Sequence, residues 1–550
     1  MVDSSAGRPI ESTPHSSMTE CRYRVSLLLI TLTVFSVMSA WALVSHSYRT
    51  PDEPQHVNSV MRLAHGGGWP PVGDARMSAG MSEAMDQAEY LARLPGSTRE
   101  NWGSGYGWFV DVTPTPDQDR IILDAGRALD VEGQTRIDQM SQHPPLYYGL
   151  LAGGLTAIGM AEDRWDLQLL ALRMMSILLT IPVVPLIAGS VRVVTNSQHL
   201  ALGSATVPLL VPQFGFISGS VTNDALMVLT GSIATYASLR VVGGDLRMRW
   251  TLLAGVAVGA GLLTKAFMAF SVPMVLLAYA FSRAERGQWL RRVGHASLAM
   301  AVAFAIGGWW WMRNYLLYGQ FQPSGMNRQP IEGGGQQPVD WYFGRAWDML
   351  TQSFWGRFGW LEVPLPGAFV VGATILALAL ITVGLFSARR LWAEVLTIGS
   401  FAGGLIVAVA IRGLFNYQRL GQLVGLQGRY FFAAFVALTV LVALGVWGVL
   451  RRSETSTAFL NPILVVVGLL VSAYGLYVWF AASYVGPGES QIEALTRWVQ
   501  WSPATTGQLT ATGFLLALAP LTLVVNSTLG AWKVRRSHDA QVMPAQEPGP

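Results

Sequence analysis

The sequence predicts an all-α, polytopic integral membrane protein with about twelve transmembrane helices. Hydrophobic residues make up 51% of the 550 residues and charged residues only 13%, about half of the roughly 25% found in soluble domains. The mean hydropathy is +0.38. Uncharged apolar runs recur along the chain, many of them close to the roughly 20 residues that cross a bilayer. These features exclude a disordered chain, a coiled coil, a collagen-like fibre and a soluble multidomain enzyme.

The chain opens with a polar segment and a first membrane anchor. Residues 1–23 are rich in Ser, Thr and Glu and are predicted to be a disordered cytoplasmic N-terminus. Residues 25–44 then form an apolar run without a charge. Ala40-Trp41-Ala42 has the small-residue spacing of a signal-peptide cleavage site. The run is long for a signal peptide, however, which favours a retained anchor, and either interpretation places the following residues outside.

Eleven further apolar runs follow, and the arginine clusters between them test this count. The runs lie near 169–191, 199–218, 224–241, 251–264, 266–281, 293–312, 367–386, 394–411, 431–450, 458–480 and 507–530. With an inner N-terminus and twelve crossings, every basic cluster falls on the cytoplasmic side, as membrane insertion favours. The clusters are Arg192, Arg240 to Arg249, Arg283 to Arg292, Arg389-Arg390, Arg451-Arg452 and Lys533 to Arg536.

The side of the membrane assigned to each arginine cluster, here called the charge parity, also defines the domain organisation. A transmembrane domain is predicted at 24–530, followed by a cytoplasmic tail at 531–550. The first and fourth outer loops, 47–168 and 313–366, are large. The expected localisation is the plasma membrane, with multiple crossings.

Two apolar stretches do not fit a single membrane crossing each. Residues 250–281 have basic clusters at both ends, so one long helix would finish on the wrong side. Two short helices are therefore predicted to meet near Lys265 at the outer side. The apolar stretch 143–161 is interpreted as a helix on the outer face, because a full crossing there would invert every later arginine cluster.

The charge balance and the cysteine content exclude some functions. The net charge is +4, but the basic residues are explained by membrane insertion, so they do not indicate a nucleic-acid partner. The single cysteine, Cys21, can build neither a disulfide framework nor a cysteine-based metal site.

The first outer loop carries a pair of carboxylates just beyond the first span. Asp52 and Glu53 stand between Pro51 and Pro54, with His56 close behind. A solvated turn that ends the span would explain this pattern. A functional interpretation gains weight because unusual cations are predicted on the same face of the membrane.

Those cations are one lysine and several arginines near the outer ends of spans. Lys265 interrupts an apolar hairpin, and a lone ammonium there costs about 2.5–3.5 kcal/mol on insertion scales, so it should have a partner. An internal salt bridge with Asp224 is one explanation. Arginines on the outer face run against the positive-inside tendency, and an anionic headgroup or a structural partner could hold them. They are Arg173, Arg313, Arg357 and Arg429.

Together these residues predict a site for sugar transfer. A carboxylate in the first outer loop can take a proton from an attacking hydroxyl. Cations at the outer ends of spans can stabilise a departing phosphate, and a lipid phosphate would reach them from within the bilayer. A nucleotide sugar fits poorly, because it is cytoplasmic and the sequence shows no glycine-rich phosphate loop backed by an α/β pattern.

With these residues in view, the chain resembles the GT-C superfamily of membrane glycosyltransferases. It is similar to glycosyltransferase family 39 and to related bacterial membrane proteins of uncharacterised function. The matching pieces occur in family order over most of the chain. They are Pro51 to His56, His143 to Tyr148, Arg173, Asn223-Asp224, Leu263 to Lys265, Trp310 to Asn314 with Tyr318-Gly319, Phe354 to Trp360, and Gln427 to Tyr430.

The resemblance implies an inverting transferase that uses a polyprenyl-phosphate sugar, hexosyl or pentosyl, on the extracytoplasmic face. Asp52 would be the general base and Glu53 its positioning neighbour. The donor phosphate would be bound by Lys265, His143, Arg313 and Arg173. Contacts to donor or acceptor would come from His56, Asp224, Arg357 and Arg429. The acceptor is a protein, a glycan or a lipid, no cofactor is assigned, and use of a divalent metal stays open.

Two other functions stay open. A transporter or flippase of lipid-linked sugars would use the same cations, but it needs charges near the midplane and a site that opens to both sides. Here the unusual charges lie at the outer ends of spans, which favours an enzyme. A non-catalytic membrane protein of envelope assembly is the third possibility.

Overall fold

The protein is described by a computed structural model that places residues 18–90, 109–110, 112–284, 286–326, 328–330 and 338–542. These residues form 22 α-helices, short 3-10 and π turns, and one antiparallel ribbon of β1 (Arg357–Phe358) and β2 (Val363–Pro364). The predicted all-α class is therefore confirmed.

The helices follow one another with few long connections in the described part of the chain. The first eleven are α1 (Glu20–Val44), α2 (Glu53–Ala64), α3 (Ala79–Gln87), α4 (Ala125–Leu129), α5 (Leu146–Ala157), α6 (Trp165–Thr180), α7 (Val183–Thr195), α8 (Gln198–Ala205), α9 (Val207–Leu210), α10 (Pro212–Ser218) and α11 (Asp224–Val242). The others are α12 (Met248–Leu262), α13 (Ser271–Ala280), α14 (Trp289–Ala303), α15 (Trp309–Tyr318), α16 (Val339–Trp355), α17 (Gly367–Ser387), α18 (Trp392–Leu420), α19 (Phe435–Val449), α20 (Glu454–Tyr484), α21 (Gln491–Trp501) and α22 (Thr506–Val542).

Nine helical stretches among the described residues are long and apolar enough to cross a membrane. They are Glu20–Val44, Trp165–Thr195, Asp224–Val242, Trp289–Tyr318, Gly367–Ser387, Arg389–Leu420, Gly428–Val449, Glu454–Tyr484 and Thr506–Arg535. A tenth is the pair Gln198–Leu210 and Pro212–Ser218, which is bent by 74° at its break. The protein is thus a multi-pass membrane protein by the length and composition of its helices.

The predicted number of twelve spans is not confirmed, although each predicted run is helical. The two remaining runs form shorter apolar helices. They are α12 and the stretch Ala266–Ala280, which contains α13. They lie on either side of Lys265, as the charge parity requires. The bend in the tenth stretch falls at Pro212, whose ring prevents the helix from continuing unbroken through Val211.

Spans differ in how deeply they are packed. The apolar stretch of α11 is 78% buried inside the protein, whereas the apolar stretches of α17 and α22 are 11% and 12% buried. The first therefore runs through the centre of the bundle, and the other two face lipid. Close helix contacts depend on glycine: a Cβ at Gly445 of α19 would overlap the backbone oxygen of Leu380 in α17.

The first outer loop has its own core. Apolar side chains of α2, α3 and α5 pack together and against the start of α6. The stretch predicted at 143–161 is α5, whose 12 residues are too short to span a bilayer. It contacts α2 and α6, and its position on the outer face of the membrane stays a prediction.

Helix boundaries differ from the predicted ones at both ends. α1 begins at Glu20, where the Thr19 hydroxyl accepts the amide of Arg22, so the end of the predicted disordered segment 1–23 is helical. Residues 1–17 of that segment lie outside the described residues. α22 continues to Val542, past the predicted boundary at 530, and residues 543–550 of the predicted tail lie outside the description.

Candidate functional site

Four charged side chains that are far apart in sequence meet at one end of the bundle. The ammonium of Lys265 donates to Oδ1 of Asp224. The guanidinium of Arg429 reaches Asp224, with Nη1 3.7 Å from Oδ2, and Asp52, with Nη2 3.4 Å from Oδ2. We call these four residues the charge cluster. Its members come from four of the separate stretches that carry the sequence resemblance.

Each member of the charge cluster lies at a break between helices. Asp52 is the residue before α2, and Asp224 is the first residue of α11. Lys265 separates α12 from the 3-10 turn Ala266–Phe270, and Arg429 lies in the 3-10 turn Gly428–Ala434 before α19. Helix ends carry unpaired backbone groups and partial charges, so they are natural positions for charged side chains and ligands.

Three members of the cluster are deeply buried, and one is not. The side chains of Asp224, Lys265 and Arg429 are 0%, 8% and 5% exposed, whereas that of Asp52 is 27% exposed. Asp52 accepts a hydrogen bond from Nε2 of Gln139 at 3.1 Å. It is therefore the carboxylate of the cluster that an incoming molecule can reach.

Glu53 has a different environment from its neighbour Asp52. Its side chain is fully buried and makes a two-pronged pair with Arg173, with distances of 2.9 Å to Nε and 2.7 Å to Nη2. Its Oε1 also accepts the amide of Val221 at 3.1 Å. Glu53 faces away from the opening that exposes Asp52.

Arg173 uses every donor that a guanidinium has. Besides the two bonds to Glu53, it donates to the carbonyls of Ala42, Ser45 and His46 at 2.6 to 3.1 Å. An arginine has five N–H donors, and all five are engaged. In this arrangement Arg173 joins the end of α1 to α2 and α6 and has no donor left for a phosphate.

Two of the predicted histidines adjoin the charge cluster. Nδ1 of His56 lies 3.0 Å from the hydroxyl of Tyr148, and the two rings are stacked. Burial lowers the pKa of His56 well below its usual value, and burial together with the nearby charge of Lys265 lowers that of His143 to about 3. Both imidazoles are therefore neutral at physiological pH.

Two predicted arginines have their contacts elsewhere in the described structure. Arg313 donates to Oδ1 of Asn314 at 3.2 Å, and its guanidinium lies 4.9 Å from the Trp310 ring centre. Nε of Arg357 donates to the carbonyl of Leu361 within the turn between β1 and β2. None of these three contacts involves a member of the charge cluster.

Several buried polar atoms around the cluster have no hydrogen-bond partner among the described residues. Two are nitrogens, Nδ1 of His143 and Nε of Arg429, and two are oxygens, Oδ1 of Asn223 and Oδ2 of Asp224. Leaving such an atom unpaired costs about 1–3 kcal/mol. Their convergence indicates a place where a polar ligand or water completes the structure.

Other residues of the site carried little signal in the sequence. Gln139, which bonds Asp52, lies in a polar stretch without a pattern. Arg49 and Glu362 form a fully buried ion pair of 3.3 Å that joins the two large outer loops. Tyr148 ends the stretch His143 to Tyr148 that carries part of the resemblance, yet only its distance to His56 shows that it belongs to the site.

Metal binding has no structural support in the described part of the chain. No group of three or more His, Cys, Asp or Glu side chains there could hold an ion. The divalent metal left open by the sequence therefore stays unassigned.

Fold and site define a class: a helical multi-pass membrane protein with a buried charge cluster at helix breaks near one end of the bundle. The family described as "Predicted membrane protein (DUF2142)" matches residues 35–438. The chain belongs to this family. A search of curated proteins finds no match.

Some solved structures match the chain at low sequence identity. One is ArnT from Cupriavidus metallidurans bound to undecaprenyl phosphate, at 15% identity and a TM-score of 0.41, covering 96% of this chain and 82% of that one. Its apo state gives 14% identity, a TM-score of 0.45 and coverages of 94% and 77%. A third is the oligosaccharyltransferase AglB from Archaeoglobus fulgidus, in complex with an inhibitory peptide and a dolichol-phosphate, at 14% identity, a TM-score of 0.38 and coverages of 90% and 59%.

These structures are of the GT-C type that the sequence resemblance named. At these identities and TM-scores the structures carry no argument about the site of this chain. What the site does must therefore be understood from the residues of this chain.

Proposed function

We propose that the protein is a glycosyltransferase that moves a sugar from a polyprenyl-phosphate donor to an acceptor at the extracytoplasmic face. The observation that carries this proposal is the position of Asp52. It is the partly exposed carboxylate of a cluster whose other members are buried cations and their counter-ion. A base beside a preformed cationic pocket suits a reaction that consumes a hydroxyl proton and releases a phosphate.

The reaction is a single displacement at the anomeric carbon of the donor. Asp52 takes the proton of the acceptor hydroxyl as its oxygen forms the new glycosidic bond. The bond between the anomeric carbon and the phosphate oxygen breaks, and its electron pair leaves with the lipid phosphate. Because the acceptor attacks opposite the departing group, the configuration of the sugar is inverted.

Arg429 and Lys265 are the proposed phosphate ligands. In the present arrangement the contacts of Arg429 with Asp52 and Asp224 are long, and its Nε has no hydrogen-bond partner. A phosphate oxygen can therefore gain a charge-assisted bond from this guanidinium. His143, neutral and with Nδ1 unpaired, is a further donor or acceptor beside it.

The remaining predicted residues take supporting parts in this proposal. Arg173 and Glu53 hold the chain turn that presents Asp52. His56 lines the site beside Tyr148, and Asp224 lines it as the partner of Lys265. Arg313 is half-buried in the middle of α15, where it would meet the phosphate on its approach from the membrane, and Arg357 supports the turn after β1.

The depth of the site favours an enzyme over a transporter. The charge cluster lies at helix breaks near one end of the bundle, and α11 continues from Asp224 through the most buried part of the protein. A transporter site needs access from both ends. We therefore rank a lipid-linked sugar transporter second and a non-catalytic envelope protein third.

The deciding experiment is transfer by the purified full chain. Radiolabelled polyprenyl-phosphate hexoses and pentoses are supplied with envelope fractions as acceptor, and the label that leaves the lipid is measured. Asp52→Asn should lower turnover by about 10²–10⁴-fold, the usual contribution of a general base. The matched control is Asp86→Asn, an exposed carboxylate of the same outer loop, which should behave as wild type.

Two results would count against the enzyme. Equal turnover in wild type and Asp52→Asn would remove Asp52 from the mechanism. Movement of the intact lipid-linked sugar across liposomes, with no release of the lipid phosphate for any donor, would establish the transporter instead.

A further inference from the structure

A cleft with mainly apolar walls and a few polar side chains lies at the opposite end of α1 from Asp52. It is bounded by α1, α8, α20 and α22, and with its mouth it holds about 430 Å³. The ion pair of Glu20 with Arg192, with 2.9 Å between Oε2 and Nη2, marks the same end. By the parity of the arginine clusters this is the cytoplasmic end.

Arg22 stands in this cleft without a counter-ion. Its guanidinium makes no hydrogen bond or ion pair with any described residue, and no acidic side chain is among the described residues that line the cleft. The neighbouring Arg24 differs, because its Nε lies 3.4 Å from Glu20. A partly buried cation without a partner attracts an anion.

Other polar side chains in the cleft are also incompletely bonded. His199 is 7% exposed, lines the cleft, and its ring makes no hydrogen bond with a described residue. Nδ2 of Asn461 donates to the His199 carbonyl at 3.1 Å, but its buried Oδ1 has no partner in the described structure. Nδ2 of Asn526 donates to the hydroxyl of Ser26 at 2.9 Å.

These polar groups are set among apolar walls. Ile30, Leu202, Val465 and Leu523 line the same cleft. Ile30 lies ten residues into α1, so the cleft reaches about 15 Å from the helix end toward the hydrocarbon. A ligand that fills it needs a charged head and an apolar continuation.

We propose that this cleft binds the headgroup of an anionic, hydroxyl-bearing glycerophospholipid of the inner leaflet. The lipid phosphate accepts from Arg22 and from the imidazole of His199. A headgroup hydroxyl donates to Oδ1 of Asn461, and the glycerol backbone and upper acyl chains lie against the apolar walls. This inference is independent of the transfer reaction, whose site is at the other end of α1.

The test uses the full chain, purified in detergent and stripped of lipid. Native mass spectrometry and thermal unfolding are followed as phosphatidylglycerol, phosphatidylcholine or inorganic phosphate is added. Phosphatidylglycerol should bind and stabilise the wild type. Arg22→Gln should weaken that binding about tenfold or more, the size expected for a lost charge-assisted contact. The control Arg24→Gln should bind as wild type.

A second variant separates the phosphate contact from the hydroxyl contact. Wild type should prefer phosphatidylglycerol over phosphatidic acid, which lacks the headgroup hydroxyl, and Asn461→Leu should lose this preference. Unchanged phosphatidylglycerol binding in Arg22→Gln would overturn the proposal, as would equal stabilisation by phosphatidylcholine. An equal effect of inorganic phosphate would show a soluble-anion site and would also overturn it.

Discussion

Asp52 adopts a backbone conformation, φ 60° and ψ 12°, that few side chains tolerate. Asp, Asn and Gly enter this left-handed region most easily. Strained backbone tends to occur where a side chain must be aimed, and here it directs Asp52 to the opening while Glu53 enters the core. The sequence alone could not assign different roles to these adjacent carboxylates, and only the resemblance favoured Asp52. The partner that distinguishes them, Arg173, lies 120 residues after Glu53.

The two carboxylates should fail in different ways when each is made neutral. Glu53→Gln leaves the charge of Arg173 buried without its counter-ion, a change that costs about 3–5 kcal/mol. We expect a clearly lowered melting temperature in detergent. Asp52→Asn keeps a residue suited to the strained backbone, so its melting temperature should stay close to wild type. A stable Glu53→Gln protein, or an unfolded Asp52→Asn protein, would contradict these roles.

At the scale of helices, the site depends on where spans end rather than on their middles. Charge parity predicted an interruption at Lys265 and an outer turn at Asp224, and both lie at helix boundaries. Asp224 pairs with Lys265, and this is the internal salt bridge that the sequence offered as one explanation for the buried lysine. What the sequence lacked was the packing that brings Arg429 to the same point, because contacts between helices leave no local pattern. The extents of α18 and α20 were also underestimated, since each continues well past its apolar run.

The contact between α17 and α19 should depend on one missing side chain. Gly445→Ala would place a methyl group on the backbone oxygen of Leu380, which cannot move without shifting the helix. Overpacking of this kind costs about 1–3 kcal/mol, so the melting temperature should fall. Gly372→Ala in α17 is the control, because a Cβ there meets no atom within 4 Å. Equal melting temperatures for the two variants would disprove the close contact.

The outer loop should lose stability in mild acid. Burial lowers the pKa values of His46, His56 and His143 below the ordinary 6.5. Well above pH 6.5 these groups are neutral in both states. Below it the unfolded chain takes up protons that the folded chain refuses, so each histidine removes up to about 1.4 kcal/mol per pH unit. The raised pKa of buried Asp138 acts in the opposite direction.

Melting temperatures at pH 7.5, 6.5 and 5.5 measure this effect. We expect a fall that begins below pH 6.5, and a shallower fall in His143→Gln, which takes up one proton fewer on unfolding. A melting temperature that is constant over this range would show that the three imidazoles gain protons in the folded protein.

At the scale of the whole molecule, the proposed orientation follows from the arginine parity alone. Arg192 of the inner clusters pairs with Glu20 at the start of α1, whereas Asp52 of the charge cluster follows the other end of this helix. The parity predicted this arrangement from composition because insertion acts on local charge near each span. It could not predict the 74° bend at Pro212 or the identity of the central helix, which depend on packing.

The protein's own cysteine makes the orientation testable. Cys21 is exposed at the start of α1, on the proposed cytoplasmic side. An impermeant thiol reagent should leave it unlabelled in intact cells and label it after the membrane is opened. Gln320→Cys in a Cys21→Ser background should be labelled in intact cells, because Gln320 is exposed just after α15. Labelling of Cys21 in intact cells would reverse the orientation and place the charge cluster in the cytoplasm.

The pairing of Glu53 with Arg173 also has a consequence for biosynthesis. Glu53 leaves the ribosome 120 residues ahead of its partner, and Asp52 leaves 377 residues ahead of Arg429. At about 5–20 residues per second, Glu53 waits roughly 6–24 s for the helix that neutralises it. During that interval the nascent outer loop must keep a carboxylate in water that it later buries. The end of the protein that holds the charge cluster is therefore completed only after most of the chain has been translated, and a polypeptide that stops before Arg429 lacks one of its members.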